Sequence, residues 1–424
     1  MKEAIALIDA NNFYASCEQM INPSLAGKPI VILSNNDGCI VSRSSEARKL
    51  RIENGKPYFK IKNDLKRLNI SVLSSNYSLY GDMSQRLMIL LERYCEEIEI
   101  YSIDEAFLRV SFANKYNLNS WAYNLREIVQ RDLGIPISIG IGINKVHAKL
   151  ANHIAKKEAF SAGVFDFIYR ENKEEFLKKI KVENVWGIGF KLASWCKERG
   201  IKNALELRDM PTHKLKNKCG IVGVKLQDSL KGEKHTEISN RFIPKKELCV
   251  SRSFSRPITT REELWEAISN YITRAGEKLR KQNQYAAKLS IFARTSKYNT
   301  KFYTGNETKT LNLPTNDTNK LLKFGLELTM KVYKENYSFM KAGVIMRNLQ
   351  NCNYLQQHLE EKDYHINEKN QENLMRIIDN LNRRYGDQTL TWACCGKKKG
   401  WYMKREKLSA KSTTKYNDIA IVNT

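Results

Sequence analysis

The stretch Tyr101-Ser102-Ile103-Asp104-Glu105-Ala106-Phe107 sets two adjacent carboxylates between two apolar runs, Ile98 to Ile103 and Ala106 to Phe112, which read as short strands. The acids therefore fall at or beside a tight β-turn. On a flat strand consecutive side chains leave opposite faces, so both carboxylates reach one cation only where the ladder turns or twists. A third acid, Asp9, ends an apolar run from Ala4 to Ile8 and can lie beside Asp104 on a neighbouring strand. Three carboxylates with no His or Cys among them suit a hard, oxygen-seeking ion such as Mg²⁺, which also takes ligands from substrate phosphates. A solvated Asp-Glu pair at a turn has the same local sequence, so the pair alone does not decide the matter.

The elements around these acids must position them. After Asp9, Asn11 or Asn12 can cap a helix carrying Phe13, Tyr14 and Cys17. Free backbone N–H groups at such a helix start suit the oxygens of a triphosphate, with Phe13 read as a core aromatic. Pro29 to Leu33 reads as a buried strand, Asn35-Asn36-Asp37-Gly38 as a turn, and Cys39-Ile40-Val41 as the returning strand. Ser42 to Lys49 opens a helix with three cations and several hydroxyls, chemistry that fits either a triphosphate tail or a solvated face. Residues 75 to 94 form an amphipathic helix beneath the carboxylate hairpin, and Trp121 to Leu133 a second. Pro136 to Ile143 is strand-like; its Gly140-x-Gly142 lacks the third glycine of a dinucleotide fingerprint and reads as close packing. A helix from Lys145 to Lys157 follows, with Lys145, Lys149, Lys156 and Lys157. Residues 1 to 165 thus describe an α/β layer with helices on a mixed sheet.

A chain of 424 residues has room for two to four domains. Basic residues outnumber acidic ones, 71 to 46, and the formal charge of +25 makes a polyanion the leading partner. No stretch approaches the roughly 18 apolar residues of a membrane span, and the N-terminus has no signal-peptide core, so no membrane role is expected. Nine cysteines without a C-x-x-C pair read as reduced thiols of a cytoplasmic protein. Past Gly163 the chain turns to short, lysine-rich helices. There Val185-Trp186-Gly187-Ile188-Gly189-Phe190-Lys191, followed by Gly200-Ile201, resembles a helix-hairpin-helix, which brings backbone N–H groups to a DNA phosphate; an ordinary interhelical turn would look similar. Gly232 to Lys246 reads as a basic linker. From 247 to 349 the order β-α-β-β-α-β matches the split-βαβ motif. The tail carries one amphipathic helix, Asn367 to Arg384, and then Lys397-Lys398-Lys399 and Lys404-Arg405, a run that a solvated, mobile end would also show.

Together these segments resemble the Y-family translesion DNA polymerases, specifically the UmuC subgroup that supplies the catalytic subunit of bacterial DNA polymerase V. The resemblance spans the chain. It rests on Asp9 with Phe13-Tyr14-Ala15-Ser16-Cys17-Glu18, on Leu33 to Cys39, on Ser74-Ser75-Asn76-Tyr77, on Tyr101 to Ala106, on Val185 to Gly189, and on residues 390 to 414 with Trp401 to Arg405. It implies an α/β and α+β multidomain, right-hand polymerase fold: palm in 1–165 with fingers inserted at about 20–76, helical thumb in 166–232 with the helix-hairpin-helix, linker 233–246, little finger 247–349 and a UmuC-type C-terminal extension 350–424. It also implies error-prone translesion synthesis in an SOS-type damage response, by two-metal nucleotidyl transfer to a primer 3′-hydroxyl. Asp9, Asp104 and Glu105 would be the catalytic acids and, with the Ala10 carbonyl, would hold two Mg²⁺ ions. One ion would activate the 3′-hydroxyl and the other hold the triphosphate and leaving pyrophosphate. The substrate-binding set is Phe13, Tyr14, Ser42, Arg48 and Lys156, with Arg48 and Lys156 on the triphosphate and Tyr14 as the sugar-discriminating aromatic. Gly187, Gly189 and Lys191 would meet DNA.

The implied partners are primer–template DNA, a dNTP, a UmuD-like subunit and a recombinase filament. Two positions depart from the wider family. Ser45 stands where many relatives outside the subgroup use a phosphate-contacting tyrosine, and Leu355-Gln356-Gln357-His358-Leu359 is a degenerate version of the sliding-clamp peptide. A nucleotide cyclase also uses paired carboxylates and two metals on a related palm, but needs neither the +25 charge nor a DNA-binding hairpin. A non-catalytic DNA-binding protein does not need acids that repel phosphate.

Overall fold

The computed structural model describes residues 2–158, 161–235, 237–239, 244–298, 301–351, 364–397 and 400–419, with backbone alone for 364–369. The residues of the degenerate clamp peptide, and Lys398 and Lys399, lie outside that set. Two compact units result: Met1–Ser34, Gly38–Arg241 and Glu406–Thr424 form one, Asn35–Asp37 and Phe242–Arg405 the other.

In the first unit the strands are β1 (Lys2–Ala10), β2 (Ile30–Leu33), β3 (Ile40–Arg43), β4 (Ser71–Ser74), β5 (Glu97–Ile100), β6 (Glu105–Phe112), β7 (Ile137–Gly142) and β8 (Val164–Asp166). Its first helices are α1 (Phe13–Ile21), α2 (Ser45–Lys49), α3 (Tyr58–Arg67), α4 (Tyr77–Glu92), α5 (Lys115–Leu133) and α6 (Lys145–Lys157). Five strands make a mixed sheet in the order β5-β6-β1-β7-β8, and β3-β2-β4 form a separate small sheet. β1 is central and apolar on both faces because both are covered. Ala6 and Ile8 join the core built by Leu79, Met83 and Leu87 of α4 and Leu118 and Leu125 of α5. Leu7, with Phe107, packs instead against Ala148 of α6. Burying such side chains is worth about 1.5–3 kcal/mol each.

Helix α6 approaches β7 closely, as the two glycines imply. A Cβ on Gly140 would lie 2.1 Å from the Asn152 backbone nitrogen and 2.4 Å from the Ala148 carbonyl oxygen; one on Gly142 would lie 2.5 Å from His147 Cβ. The Asn152 amide, buried in this seam, donates to the carbonyls of Ser138 and Leu7 at 2.9 and 3.3 Å. Asn144 caps the helix by accepting from the His147 N–H at 2.8 Å.

The rest of the unit is helical: α7 (Lys173–Lys179), α8 (Phe190–Lys197), α9 (Ala204–Asp209) and α10 (Thr212–Lys231), around Leu177, Val182, Ala193, Leu207 and Leu215. The second unit holds β9 (Leu248–Ile258), α11 (Arg261–Lys281), β10 (Gln284–Thr295), β11 (Thr304–Thr315), α12 (Thr318–Val332), β12 (Phe339–Asn351) and α13 (Tyr364–Tyr385). Its antiparallel sheet runs β11-β10-β12-β9. β12 thus lies between the parallel β9 and β10, the split-βαβ arrangement expected.

The tail departs from a solvated, mobile end. Trp401 is buried in the second core, edge-on to Phe254 and Tyr271, and the Asn270 amide donates to the Cys395 carbonyl at 2.7 Å. Arg280 grips Asp379 of α13 with two hydrogen bonds of 2.6 and 2.8 Å. Residues Glu406–Thr424 then belong to the first unit. The lysine run conceals these contacts because the anchors are the tryptophan and short polar residues between the charges. The eight described cysteines are all free.

Gly140→Ala forces α6 off the sheet, since backbone atoms cannot yield as a flexible side chain does. A destabilisation of about 1–3 kcal/mol or more is expected in urea unfolding. Gly81, on α4, has no atom within 4 Å of a built Cβ. Gly81→Ala should stabilise by up to about 1 kcal/mol. Equal midpoints for the two variants would show that the α6–β7 contact is not tight.

Candidate active site

Asp9 is the penultimate residue of β1, facing Glu105 of β6 on one side and Ser138 of β7 on the other. The register partner of Asp9 is thus Glu105, not Asp104. The Asp104 carbonyl accepts from the Ala10 N–H at 2.9 Å, which fixes the turn beside the end of β1. Ser102 shapes that turn: its hydroxyl oxygen accepts from the N–H groups of Asp104 and Glu105 at 3.3 and 3.1 Å and donates to Asp104 Oδ1 at 2.6 Å. Glu105 opens β6 while Asp104 remains in the turn, so the two neighbouring acids do not share one flat strand.

The acids are matched by ammonium groups of α6. Lys156 Nζ lies 2.5 Å from Asp9 Oδ2. Lys149 Nζ lies 3.0 and 3.2 Å from the Glu105 oxygens and 4.3 Å from the Tyr101 ring centroid. Lys145, almost fully buried, pairs with both oxygens of Glu99 at 2.7 and 2.8 Å. Residues 145, 149, 152 and 156 recur at three- and four-residue intervals, so one helix face carries all these contacts. The spacing was visible in sequence, but which acid each lysine meets was not. Burial pushes the Asp9 carboxyl up to about 7, against the pull of Lys156, and its hydrogen bond with Glu105 adds to the rise. Burial raises Glu105 as well, but the hydrogen bond with Asp9 and the Lys149 ammonium outweigh it and hold Glu105 below the ordinary range.

A nearly buried Asp9, Glu105 beside it and the neighbouring Ala10 carbonyl form an all-oxygen donor set that fits a hard divalent cation. Asp104 differs from the expected convergence. The three carboxylates do not all come within 4.8 Å of one another; among the described residues the group that does is Asp228, Glu233 and His235. Asp104 instead takes the rotamer that accepts from the Ser102 hydroxyl at 2.6 Å. A cation between the acids would draw it back.

At the start of α1, Asn12 is left-handed (φ 49°) and uses no side-chain cap. Its side chain accepts from the Arg48 guanidinium at 2.7 Å, and its carbonyl accepts from the Ser42 hydroxyl at 3.4 Å. Arg48 and Ser42 thereby meet beside the free N–H groups of the first turn. Ser42 and Arg43 belong to β3, and helix α2 starts only at Ser45, capped by Ser44. Ser45 is exposed and donates to Glu46. Phe13 is 3% exposed within the main core, so its side chain is not available to a substrate. Tyr14 is half-buried. One ring face stacks on Tyr80 (centroids 4.3 Å, 11°), and Tyr77 meets it edge-on at 6.3 Å. These tyrosines, 63 and 66 residues further on, were not legible as partners because only the α1–α4 contact brings them together.

The Trp186 indole donates to the Tyr101 hydroxyl at 3.0 Å, tying the glycine hairpin to the carboxylate hairpin. Gly187 is left-handed (φ 94°), Gly189 caps α8, and Phe190 and Lys191 are exposed. That is the form a phosphate-approaching hairpin needs.

Asp9 predicts a sign for pH dependence. Between 3.8 and about 7 the folded protein keeps a proton that the unfolded chain has released. The stability so gained is complete below the lower value and lost as pH rises through the upper one. In chelator, Asp9→Asn should therefore gain on the wild type at pH 8 relative to pH 4, by an amount on the order of a few kcal/mol. Urea midpoints that shift equally at both pH values would mean that Asp9 titrates ordinarily.

Residues 8–153 match the impB/mucB/samB family, residues 245–359 its C-terminal domain, and residues 372–422 a domain of unknown function, DUF4113. Protein UmuC of Salmonella typhimurium is 37% identical over 98% of this chain and 99% of its own length. Protein ImpB of the same organism is 34% identical over 98% and 99%. DNA polymerase IV of Bacillus velezensis is 26% identical over 97% of this chain and 96% of its own. The fold is similar to that of the Y-family DNA polymerase chimera Dbh-Dpo4(243-245)-Dbh, with a TM-score of 0.65 and 21% identity over 82% of this chain and 99% of the other. With its acids at the β1–β6 edge and its split-βαβ second unit, the chain belongs to the impB/mucB/samB family and is a UmuC-type Y-family DNA polymerase.

Proposed function

We propose that this polymerase performs error-prone translesion synthesis by adding dNTPs to a primer 3′-hydroxyl at Asp9, Asp104 and Glu105. The observation that carries the reading is the Asp9–Glu105 pair, set side by side on neighbouring strands, with Asp9 buried, and faced by Lys156 and Lys149. Two Mg²⁺ ions held by these acids and the Ala10 carbonyl would supply Lewis-acid activation of the hydroxyl and charge neutralisation at the phosphates. The protein's own groups do the rest. The α1 N-terminus, Ser42 and Arg48 take the triphosphate, and Lys156 exchanges its bond with Asp9 for a phosphate oxygen. Tyr14 keeps its free face for the sugar, where a 2′-hydroxyl would clash. We assign 1–165 to the palm with fingers at about 20–76, 166–232 to the thumb, 233–246 to the linker, 247–349 to the little finger and 350–424 to the extension. A UmuD-like subunit and a recombinase filament are the partners we infer, in a cytoplasmic setting, from the kinship with UmuC.

The second unit supports binding to a nucleic acid backbone. Lys288 lies directly opposite Arg347, and Arg294 opposite Lys341, across β10 and β12. Directly opposed like charges destabilise a sheet, and alternation puts all four on the face away from Leu289, Ile291 and Val344. Glu247 meets Arg347 at 3.2 Å, and phosphates would relieve the repulsion that remains. Replacing Lys288 and Lys341 with Ser should weaken primer–template binding and flatten the log-affinity against log-salt slope by about 1 for each phosphate no longer neutralised. An unchanged slope would take this face out of the interface.

Asp9→Ala or Asp104→Ala should abolish primer extension with Mg²⁺ and dNTPs while leaving DNA affinity nearly intact, because binding is spread over many cations. Extension by either variant, free of wild-type contamination, would misplace the acids. Tyr14→Ala should raise ribonucleotide incorporation far more than it lowers deoxynucleotide incorporation, since misplacement of about 1 Å can cost a hundredfold in rate. An unchanged ratio in a folded variant would make Tyr14 a packing residue.

A further inference from the structure

The C-terminal segment of the first unit docks against the ring system beneath Tyr14. Leu408 bridges to Ser74 in parallel, next to the edge of the small sheet. The Ser74 N–H donates to the Lys407 carbonyl at 2.8 Å, and the Lys407 N–H donates to the Ser74 hydroxyl at 3.0 Å. The side-chain amide of Asn76, 1% exposed, donates to the Ser409 hydroxyl, the Ala410 carbonyl and the Ser409 carbonyl at 2.9, 3.1 and 3.4 Å. The other end of Asn76 caps α4 through the Leu79 N–H. One side chain therefore joins the C-terminal segment to the helix that carries Tyr77 and Tyr80.

The central group is Glu18, 1% exposed on α1. Its Oε1 accepts from the Tyr80 hydroxyl at 2.7 Å and from the Ser409 hydroxyl at 3.0 Å. A buried carboxylate is costly unless donors surround it, and here one of the two donors comes from 391 residues along the chain. Tyr80 is fully buried, and Tyr14 stacks on its face. The chain of contact therefore runs from Ser409 through Glu18 and Tyr80 to Tyr14.

We propose that residues 407–410 are a positioning strap for the nucleotide pocket, in which Ser409, through Glu18 and Tyr80, holds the Tyr14 ring in register with the sugar. The proposal rests on the reading of Tyr14 as the sugar-facing aromatic, and Ser409 itself touches no substrate. It gives the domain of unknown function at 372–422 a task within the polymerase itself. Without the Ser409 hydroxyl, Glu18 keeps one donor and draws Tyr80 and its stacked neighbour out of place.

The test is made on the full chain, with single-nucleotide kinetics on matched rNTP and dNTP and hydrogen exchange of residues 13–18 and 76–80. Ser409→Ala should raise the ratio of rNTP to dNTP incorporation several-fold, mainly through KM, and speed exchange in both segments. Ser409→Thr should restore both, and Ser409→Asp, which sets a second negative charge beside Glu18, should exceed the alanine effect. In a double-mutant cycle, Tyr80→Phe and Ser409→Ala should be non-additive. If Tyr14→Ala changes the ratio but Ser409→Ala changes neither ratio nor exchange, the strap is overturned and the sugar reading stands. If Tyr14→Ala leaves the ratio unchanged, the sugar reading falls, and the strap's claim on nucleotide choice falls with it.

Discussion

The close contact between α6 and β7 is the constraint on which the site depends. With no side chain at Gly140 or Gly142, the helix backbone lies almost on the strand, and Asn152 bonds to two strand carbonyls. That depth decides where the lysines of the same helix face reach. Lys149 and Lys156 meet Glu105 and Asp9, the two acids that the β1–β6 register sets side by side. A helix held farther out by a methyl group would have the same sequence of charges but a different set of partners. The electrostatics of the acids thus follows from a steric fact about two glycines.

The acid pair is an unstable charge arrangement that the protein holds by other means. Burial and the neighbouring Glu105 drive Asp9 towards its neutral form, and the Lys156 ammonium compensates only in part. Natural proteins accept such conflicts where a ligand is to resolve them. The crossed pairs of like charge on the second unit's sheet, Lys288 with Arg347 and Arg294 with Lys341, have the same character with the opposite sign. Both clusters are matched in part within the protein, the acids by Lys156 and Lys149 and Arg347 by Glu247, and a ligand of opposite charge would complete the compensation.

The C-terminal extension links organisation to chemistry in a different way. Its aromatic anchor, Trp401, completes the core of the second unit. Its later residues add donors and acceptors to the first, at Ser74, Asn76 and Glu18. Short polar residues carry these contacts, and their value lies in adding partners to polar groups that are buried. The side chains of Lys404 and Lys407, between them, remain exposed.

Much of the architecture was determined by the sequence alone. Apolar periodicity located the strands flanking Asp104 and Glu105, helix α6 from Lys145 to Lys157, and the β-α-β-β-α-β order of the second unit, because burial of one face or both leaves a pattern within a short window. Composition pointed to a polyanion as the leading partner, and the acids to a hard cation. The tertiary structure decided what depends on residues meeting across long separations. Register put Glu105, not Asp104, opposite Asp9, and a hydroxyl two residues away turned Asp104 aside. Core packing withdrew the Phe13 side chain, and the α1–α4 contact stacked Tyr14 on Tyr80. The bond from Ser409 to Glu18 has no local signature at all, since a hydroxyl in a polar tail reads as solvated until the fold brings a buried carboxylate to it.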